Sequence, residues 1–266
     1  MGPEGIDLNI LVCMKQVPDT QKVRIDPVRN TLIRKGVPSI TNPLDESALE
    51  LALEIRASSG GKITVLTMGI PDSAEILRDG LSMGADHAYL LSHSDFSGAD
   101  TLATSYTLGM GIKKIGSFDL LLFGKQAIDG DTAQVGPEVA GFLGIPVITF
   151  VTGVLAAGPD HVVVERMTDN GNQIVECEYP VVFTVVKAAQ RLRVPTLDGM
   201  MRSFDIPVTR YGAQEIGADP DRCGLKGSPT RVKKVFSPKH LSKVKLIEGS
   251  IEEKAKEFVR IISKHK

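Results

Sequence analysis

Two hydrophobic patterns alternate along the first 150 residues. Short unbroken apolar runs come first: NILVCMK (Asn9 to Lys15), KITVLTMG (Lys62 to Gly69), HAYLL, FDLLLFG and PVITFV. Runs of this length without polar alternation predict strands buried on both faces. Between them lie stretches with helical spacing. In NPLDESALELALEIR, the residues Leu44, Ala48, Leu51 and Ile55 share a stripe, Asn42 is placed to cap, Pro43 suits the first helical position, and Asp45 stands three after the cap. Asp72 with Glu75 predicts a second helix start and Gly84 its end; ADTLATSYTLGMGIKKI and VGPEVAGFLG predict two more helices. Strands alternating with helices predict an α/β fold, a doubly wound and mostly parallel sheet.

The rhythm changes at two places. Between the first strand and first helix lies QVPDTQKVRIDPVRNTLIRKGVPSI, too long for an ordinary loop and so either a small hairpin or a functional excursion. After Val151 come three β-type runs, the first two joined by TDNGN, a hairpin signal that predicts an antiparallel extension of the sheet. Past Lys187 the chain turns irregular, with prolines at 195, 207, 220, 229 and 238. The expected division is an α/β nucleotide-binding domain over 1–187 and a partner-recognition segment with a C-terminal arm over 188–266. The arm ends in an amphipathic helix: Ser250 caps it, Glu253 closes a capping box, and Ile251, Ala255, Phe258 and Ile262 share a face.

Composition narrows the classes. The chain has 266 residues, 42% hydrophobic and 24% charged, as in a soluble globular protein. No apolar run approaches the roughly 18 residues of a membrane span. The start MGPEGIDLN has no secretory pattern, so a cytoplasmic location is expected. Cys13, Cys177 and Cys223 are far apart and the five histidines lack ligand spacing, so no metal site is expected. Net charge is −1, but Leu225 to Lys266 carries twelve Lys or Arg against four Glu. Few aromatics interleave with these charges, which favours an arm on an acidic partner over nucleic acid.

Ligands of open α/β sheets bind beyond the carboxyl ends of the strands. The candidates there are Cys13; Asn42, Pro43, Leu44 and Asp45; Met68; and the loop Gly124, Lys125, Gln126, Ala127, Ile128, Asp129, Gly130, Asp131, Thr132, Ala133, Gln134 and Val135. In that loop Gly124 and Gly130 allow close approach of backbone, and Asp131 and Thr132 are cap types. Pro137 delays regular helix, which leaves N–H groups from Gly130 to Val135 free for an anion. An ordinary capped connection has the same composition. GxGxxG after the first strand is absent, as are GxxxxGK[ST] and any Ser-His-Asp set. These residues favour binding a nucleotide over acting on it, with no catalytic side chain.

Taken in order, ILVCMKQVPD, NPLDESALELALEIR, LSMGADHAYLL, GKQAIDGDTAQVGPEVAGFLG and GLKGSPTRVKKVFSP resemble the β subunit of electron transfer flavoproteins over about residues 7–240. The resemblance implies an adenine-nucleotide α-hydrolase-like fold and a larger α subunit carrying FAD. It implies AMP in this subunit for respiratory members, or a second FAD approached by NADH for electron-bifurcating, anaerobic members. KQVPDT and DGDTAQVGP resemble the latter type. It also implies an electron carrier, not an enzyme, that serves a flavin-dependent dehydrogenase such as an acyl-CoA dehydrogenase. The nucleotide contacts carried over are the candidates above, with Lys125 offsetting phosphate charge and Asp129 or Asp131 capping the helix or bonding a ribose hydroxyl. The family's partner-recognition sequence Asn-Glu-Pro-Arg-Tyr is replaced around Arg191, Leu192, Arg193, Val194, Pro195 and Thr196. A plain adenine-nucleotide-binding regulatory protein without a redox role is the other class compatible with the residues.

Overall fold

The unbroken apolar runs form strands and the periodic stretches form helices. The computed structural model describes residues 6–19, 24–25, 32–33, 38–186, 192–231, 233 and 246–263, and the chain divides into two units, Met1–Arg231 and Val232–Lys266. The first unit begins with β1 (Asn9–Cys13), β2 (Gln16–Pro18), β3 (Arg24–Ile25), β4 (Leu32–Ile33) and β5 (Ser39–Thr41). Then follow α1 (Pro43–Ser59), β6 (Lys62–Met68), α2 (Ala74–Met83), β7 (His87–Leu91), α3 (Thr101–Ile115), β8 (Leu120–Gly124) and α4 (Val135–Leu143). The rest is β9 (Val147–Ala157), β10 (His161–Thr168), β11 (Gly171–Glu178), β12 (Val181–Val185), α5 (Leu197–Asp205), β13 (Val208–Tyr211) and α6 (Gly224–Gly227).

One nine-stranded sheet organises the unit, in the order β11-β10-β9-β12-β8-β1-β6-β7-β13. The pairs from β9 to β13 in that order are parallel, whereas β10 and β11 run antiparallel. β1 sits between β6 and β8, with Val12 opposite Val65 on one side and Leu122 on the other. Its residues alternate between two apolar layers. Ile10 and Val12 pack with Leu49 and Leu53 of α1 and Leu77 of α2; Leu11 and Cys13 pack with Tyr106 of α3 and Val139 of α4. Burial of this kind on both faces is what an unbroken apolar run requires. The fold is therefore α/β, mostly parallel, with helices on both faces and an antiparallel extension.

Several expectations need correction. Of the three β-type runs after Val151, β10 and β11 form the antiparallel hairpin around Asn170-Gly171. The third, β12, instead inserts in parallel between β8 and β9. Its residues Val181 to Val185 are all buried, as a strand without polar alternation must be. The stretch past Lys187 is not all arm: β13 pairs with β7, Tyr211 stacks on Tyr89 with ring centroids 5.8 Å apart, and the unit runs on to Arg231. Asp72 does not cap α2. It lies in a short 3-10 turn, Pro71–Ser73, and no side chain caps the helix. Gly84 does end α2, with φ 127°. The excursion between Gln16 and Thr41 contains two antiparallel pairings, β2 with β5 and β3 with β4.

The second unit contains α7 (Ile251–Ser263). Its start has the expected reciprocal cap: the Glu253 amide donates to Ser250 Oγ at 3.3 Å, and the Ser250 amide donates to Glu253 Oε2 at 2.8 Å.

Candidate nucleotide-binding site

Strand order reverses direction at β1. The chain proceeds from β1 to β6 and β7, then returns to place β8 on the other side of β1. Such a switch point parts the loops that leave the two adjacent strands, and the cleft between them is where ligands bind. Cys13 and Lys15 end one strand; Gly124 ends the other.

The polar side chains at this cleft do not follow the sequence expectation. Asn42 stands at the N-cap position of α1, but its side chain makes no cap bond. Its main-chain carbonyl alone accepts from the Asp45 and Glu46 amides. The side chain, wholly buried, crosses to the loop after β8: Nδ2 donates to Gln126 O at 2.9 Å, and Oδ1 accepts from the Ile128 amide at 3.2 Å. Asp45 does the same for the strands. Its Oδ1 accepts from the Gly124 amide at 3.0 Å and its Oδ2 from the Lys15 amide at 2.8 Å, so one carboxylate bridges the ends of β8 and β1. Burial pushes the Asp45 carboxyl up to about 7, against the lowering effect of its hydrogen bonds and of Lys15.

This packing requires glycine at 124. A Cβ there would lie 2.3 Å from Asp45 Oδ1 and 2.7 Å from the Leu44 carbonyl carbon. The loop is tied further by Lys15, whose Nζ lies 2.7 Å from Asp129 Oδ1, and by Gln126 Nε2, which donates to Asp131 Oδ1 at 2.7 Å. Lys125 donates its amide to Val185 O and places Nζ 5.2 Å from the centre of the Phe150 ring.

Beyond Asp129 the loop becomes open. Gly130 and Asp131 donate to Ala127 O in a turn. Asp131 and Ala133 then adopt φ of 50° and 55°, the left-handed region. Helix α4 starts at Val135 with Gln134 at the cap position and no side-chain cap, so neither Asp131 nor Thr132 caps it. Asp131 is turned to Gln126 instead. Pro137 falls third in the helix rather than delaying it. Among the described residues, the amides of Thr132, Ala133, Gln134, Val135 and Gly136 have no protein acceptor. Five successive free donors at a helix start form an anion cradle.

The remaining candidates divide. Pro43 and Leu44 form the first turn of α1 beside Gly124. Cys13 is buried in the layer under α3 and α4, and burial raises its thiol. Met68, at the end of β6, is partly buried against the same layer. In the partner-recognition segment, Arg191 lies outside the described residues. Leu192 and Pro195 are half-buried, Val194 is exposed, and Thr196 caps α5 by accepting from the Gly199 amide at 3.0 Å. Arg193 is engaged inside the chain: its amide and guanidinium reach Glu50 of α1, with Nη2 2.7 Å from Oε1. Glu50 is 5% exposed. Burial would raise its carboxyl, but the hydrogen bonds and charge of Arg193 prevail and hold it below the usual range.

α5 is packed in the reverse of the usual sense. It turns Gly199 and buried Ser203 toward α2, where a Cβ on Gly199 would lie 2.3 Å from Ser82 O. Arg202 donates to Leu81 O and Ala85 O, and Arg78 donates to Ser203 O and Ile206 O. The apolar residues Leu197, Met201 and Phe204, the last 77% exposed, face away.

Sequence reasoning placed Lys15 at a ligand-facing strand end but gave it no role, and it missed Phe150 and Glu50. Only Glu50 left a usable signal: a carboxylate amid LELALEI on a core-facing helix requires a partner. Among the described residues there is no group of His, Cys, Asp or Glu able to hold a metal, and no helix long and apolar enough to cross a membrane.

The cleft at the switch point is lined by main-chain donors at the start of α4. The model of the electron transfer flavoprotein domain matches residues 29–213. An electron transfer flavoprotein subunit beta from Megasphaera elsdenii is 48% identical over 238 residues, 87% of this chain and 88% of that protein. Caffeyl-CoA reductase-Etf complex subunit CarD from Acetobacterium woodii is 46% identical over 91% of this chain and 93% of its own. Protein FixA from Sinorhizobium fredii is 42% identical over 97% of this chain and 94% of its own. The chain belongs to the electron transfer flavoprotein family, as a beta subunit.

Proposed function

We propose that this subunit holds an adenine nucleotide, FAD rather than AMP, at the ends of β1 and β8, and carries electrons between a dehydrogenase and an acceptor. The observation that carries the reading is the open run of amides from Thr132 to Gly136. Five donors on two residues of left-handed backbone and the first turn of α4 offer more than a single phosphate needs, and suit a pyrophosphate. Lys125, beside the loop, supplies positive charge. FAD would provide the redox chemistry; the chain's own residues bind and orient it. NADH as donor to this site follows the likeness of KQVPDT and DGDTAQVGP to bifurcating members.

The partners proposed are the α subunit, paired through the basic arm, and a flavin-dependent dehydrogenase such as an acyl-CoA dehydrogenase, in the cytoplasm. The residues Arg191 to Thr196 lead into α5, and the outward apolar face of α5 extends the proposed dehydrogenase surface. Arg193 then acts by anchoring that segment to Glu50. Phe204→Ser should weaken transfer to the native dehydrogenase without lowering flavin content; unchanged transfer rates would remove α5 from this role.

The test of the main reading is the ratio of flavin to heterodimer in the native complex, with AMP assayed alongside. Two FAD per heterodimer and no AMP support it. One FAD and one AMP overturn the FAD assignment. Bleaching of the flavin by NADH tests whether nicotinamide reaches this subunit.

A further inference from the structure

Three hydrogen bonds from two neighbouring side chains converge on the base of the proposed nucleotide loop, and a fourth ties in Lys15 after β1. Asn42 bonds Gln126 O and the Ile128 amide, and Asp45 bonds the amides of Gly124 and Lys15. Both side chains are sealed from solvent, at 0% and 6% exposure. Residue 42 is an Asn at a helix start, where its usual use is to cap its own helix. Its diversion to a loop 84 residues away leaves the cap to main chain alone. Glycine at 124 is the matching condition, because any Cβ there would strike the Asp45 carboxylate.

We propose that Asn42 and Asp45 are positioning residues: their side chains form a buried clasp that holds the loop 124–128 in its binding geometry, and so set how long a nucleotide stays. The proposal rests on the nucleotide reading above. The physical argument concerns where the loop's strain is opposed. Asp131 and Ala133 occupy left-handed backbone that L residues adopt at a cost. A strained segment persists only where its surroundings over-determine it, and the loop's fixed end is the Gly124–Ile128 stretch gripped by the clasp. Lys15 to Asp129 adds a tie that is half exposed, and so worth less than the buried bonds. Opening the clasp releases the anchored end, and the donors from Thr132 onward lose their common aim.

The experiment uses the native complex with its bound nucleotide. Dissociation of the nucleotide is followed by stopped-flow fluorescence, and amide exchange is followed by mass spectrometry, for wild type, Asn42→Ala and Asn42→Asp. Asn42→Asp keeps an acceptor for Ile128 but sets a carboxylate oxygen against Gln126 O. Dissociation from Asn42→Ala should be faster by roughly tenfold, as for loss of two buried hydrogen bonds. Asn42→Asp, with a buried carboxylate facing a carbonyl oxygen, should dissociate at least as fast as Asn42→Ala. The association rate should stay within about twofold, because the side-chain bonds removed are made within the protein. Exchange should accelerate in 124–136 and remain slow in β1 and β8.

Wild-type dissociation rates in both variants, with a loaded wild type, overturn the clasp alone. Faster exchange throughout β1 and β8 also overturns it, since Asn42 then supports the fold generally. A slowed association rate with unchanged dissociation overturns it in favour of direct ligand contact. A native complex with no adenine nucleotide at all overturns the nucleotide reading, and the retention role with it.

Discussion

Helices α1 and α4 begin at the same cleft and handle their first turns in opposite ways. α1 closes its start with main chain: the Asn42 carbonyl takes the amides of Asp45 and Glu46, and proline at 43 has none to offer. Its polar side chains, freed from capping, grip the neighbouring loop. α4 leaves its start open, with donors from Thr132 to Gly136 unmatched among the described residues and no side-chain cap. Two helix starts with similar cap-type residues nearby thus differ: the side chains of one hold a neighbouring loop, and the other leaves its amides open. What separates them is the loop length before each helix and where the side chains can reach, not residue type.

Breaking the clasp should have the largest effect. Gly124→Ala forces a methyl into the Asp45 carboxylate and the start of α1. Overpacking of this kind costs about 1–3 kcal/mol, and the nucleotide should be lost from the purified complex. Chemical denaturation and absorbance spectra check both. Retention of a full nucleotide complement would deny the clasp its importance.

A second test lies within α1. Arg193→Ala leaves the buried Glu50 carboxylate without its cation and with only the amide of residue 193 as donor, at a cost of about 1.5–3 kcal/mol by equilibrium denaturation. Nucleotide content should not change, because Glu50 lies away from the helix start. Loss of nucleotide in this variant would show that α1 couples the two ends, which the comparison does not anticipate.

On the cradle side, Ala133→Val places a β-branched residue at φ 55°. The strain should cost about 1–2 kcal/mol and weaken nucleotide binding, while Ala133→Gly should bind as wild type does. Binding by the Val variant equal to that of wild type would mean that the left-handed backbone is not needed for the site.

A further expected effect is a slope of stability with pH. The folded-state carboxyl of Asp45 lies at about 7, above an unfolded value near 3.8. The folded chain therefore holds the proton more tightly. This group's contribution to stability is full below about pH 4, declines as pH rises, and is gone above about pH 7. Asp45→Asn should flatten that part of the stability profile between pH 4 and 7. A variant profile parallel to wild type would place the Asp45 carboxyl near its ordinary range.

The sequence made local features legible and long-range ones not. Val12 and its neighbours had to be a doubly buried strand because nothing in NILVC alternates. Asn170-Gly171 marked its hairpin, and Ser250 with Glu253 marked the start of α7, because those signals depend on residues within a few positions. Asn42 also carried a clear local signal, and it misled: the residue is a good cap by type, but the nearby carbonyl and amide of Gln126 and Ile128 compete for the same atoms. The bond from Asp45 to Gly124 spans 79 positions and the one from Arg193 to Glu50 spans 143, so neither could be seen in spacing. The position of β12 was equally hidden. Its composition showed a central strand, but its neighbours in the sheet depend on where β8 and β9 had already been placed.

The central claim is that the open start of α4 receives the phosphates of an adenine nucleotide. Amide exchange of the native complex, measured with the nucleotide bound and after its removal, tests it directly. The amides of Thr132, Ala133, Gln134, Val135 and Gly136 should exchange fast in the stripped protein and become protected when the nucleotide is restored, while those of the β10–β11 hairpin stay unchanged. Equal exchange of these amides in both states would contradict the account.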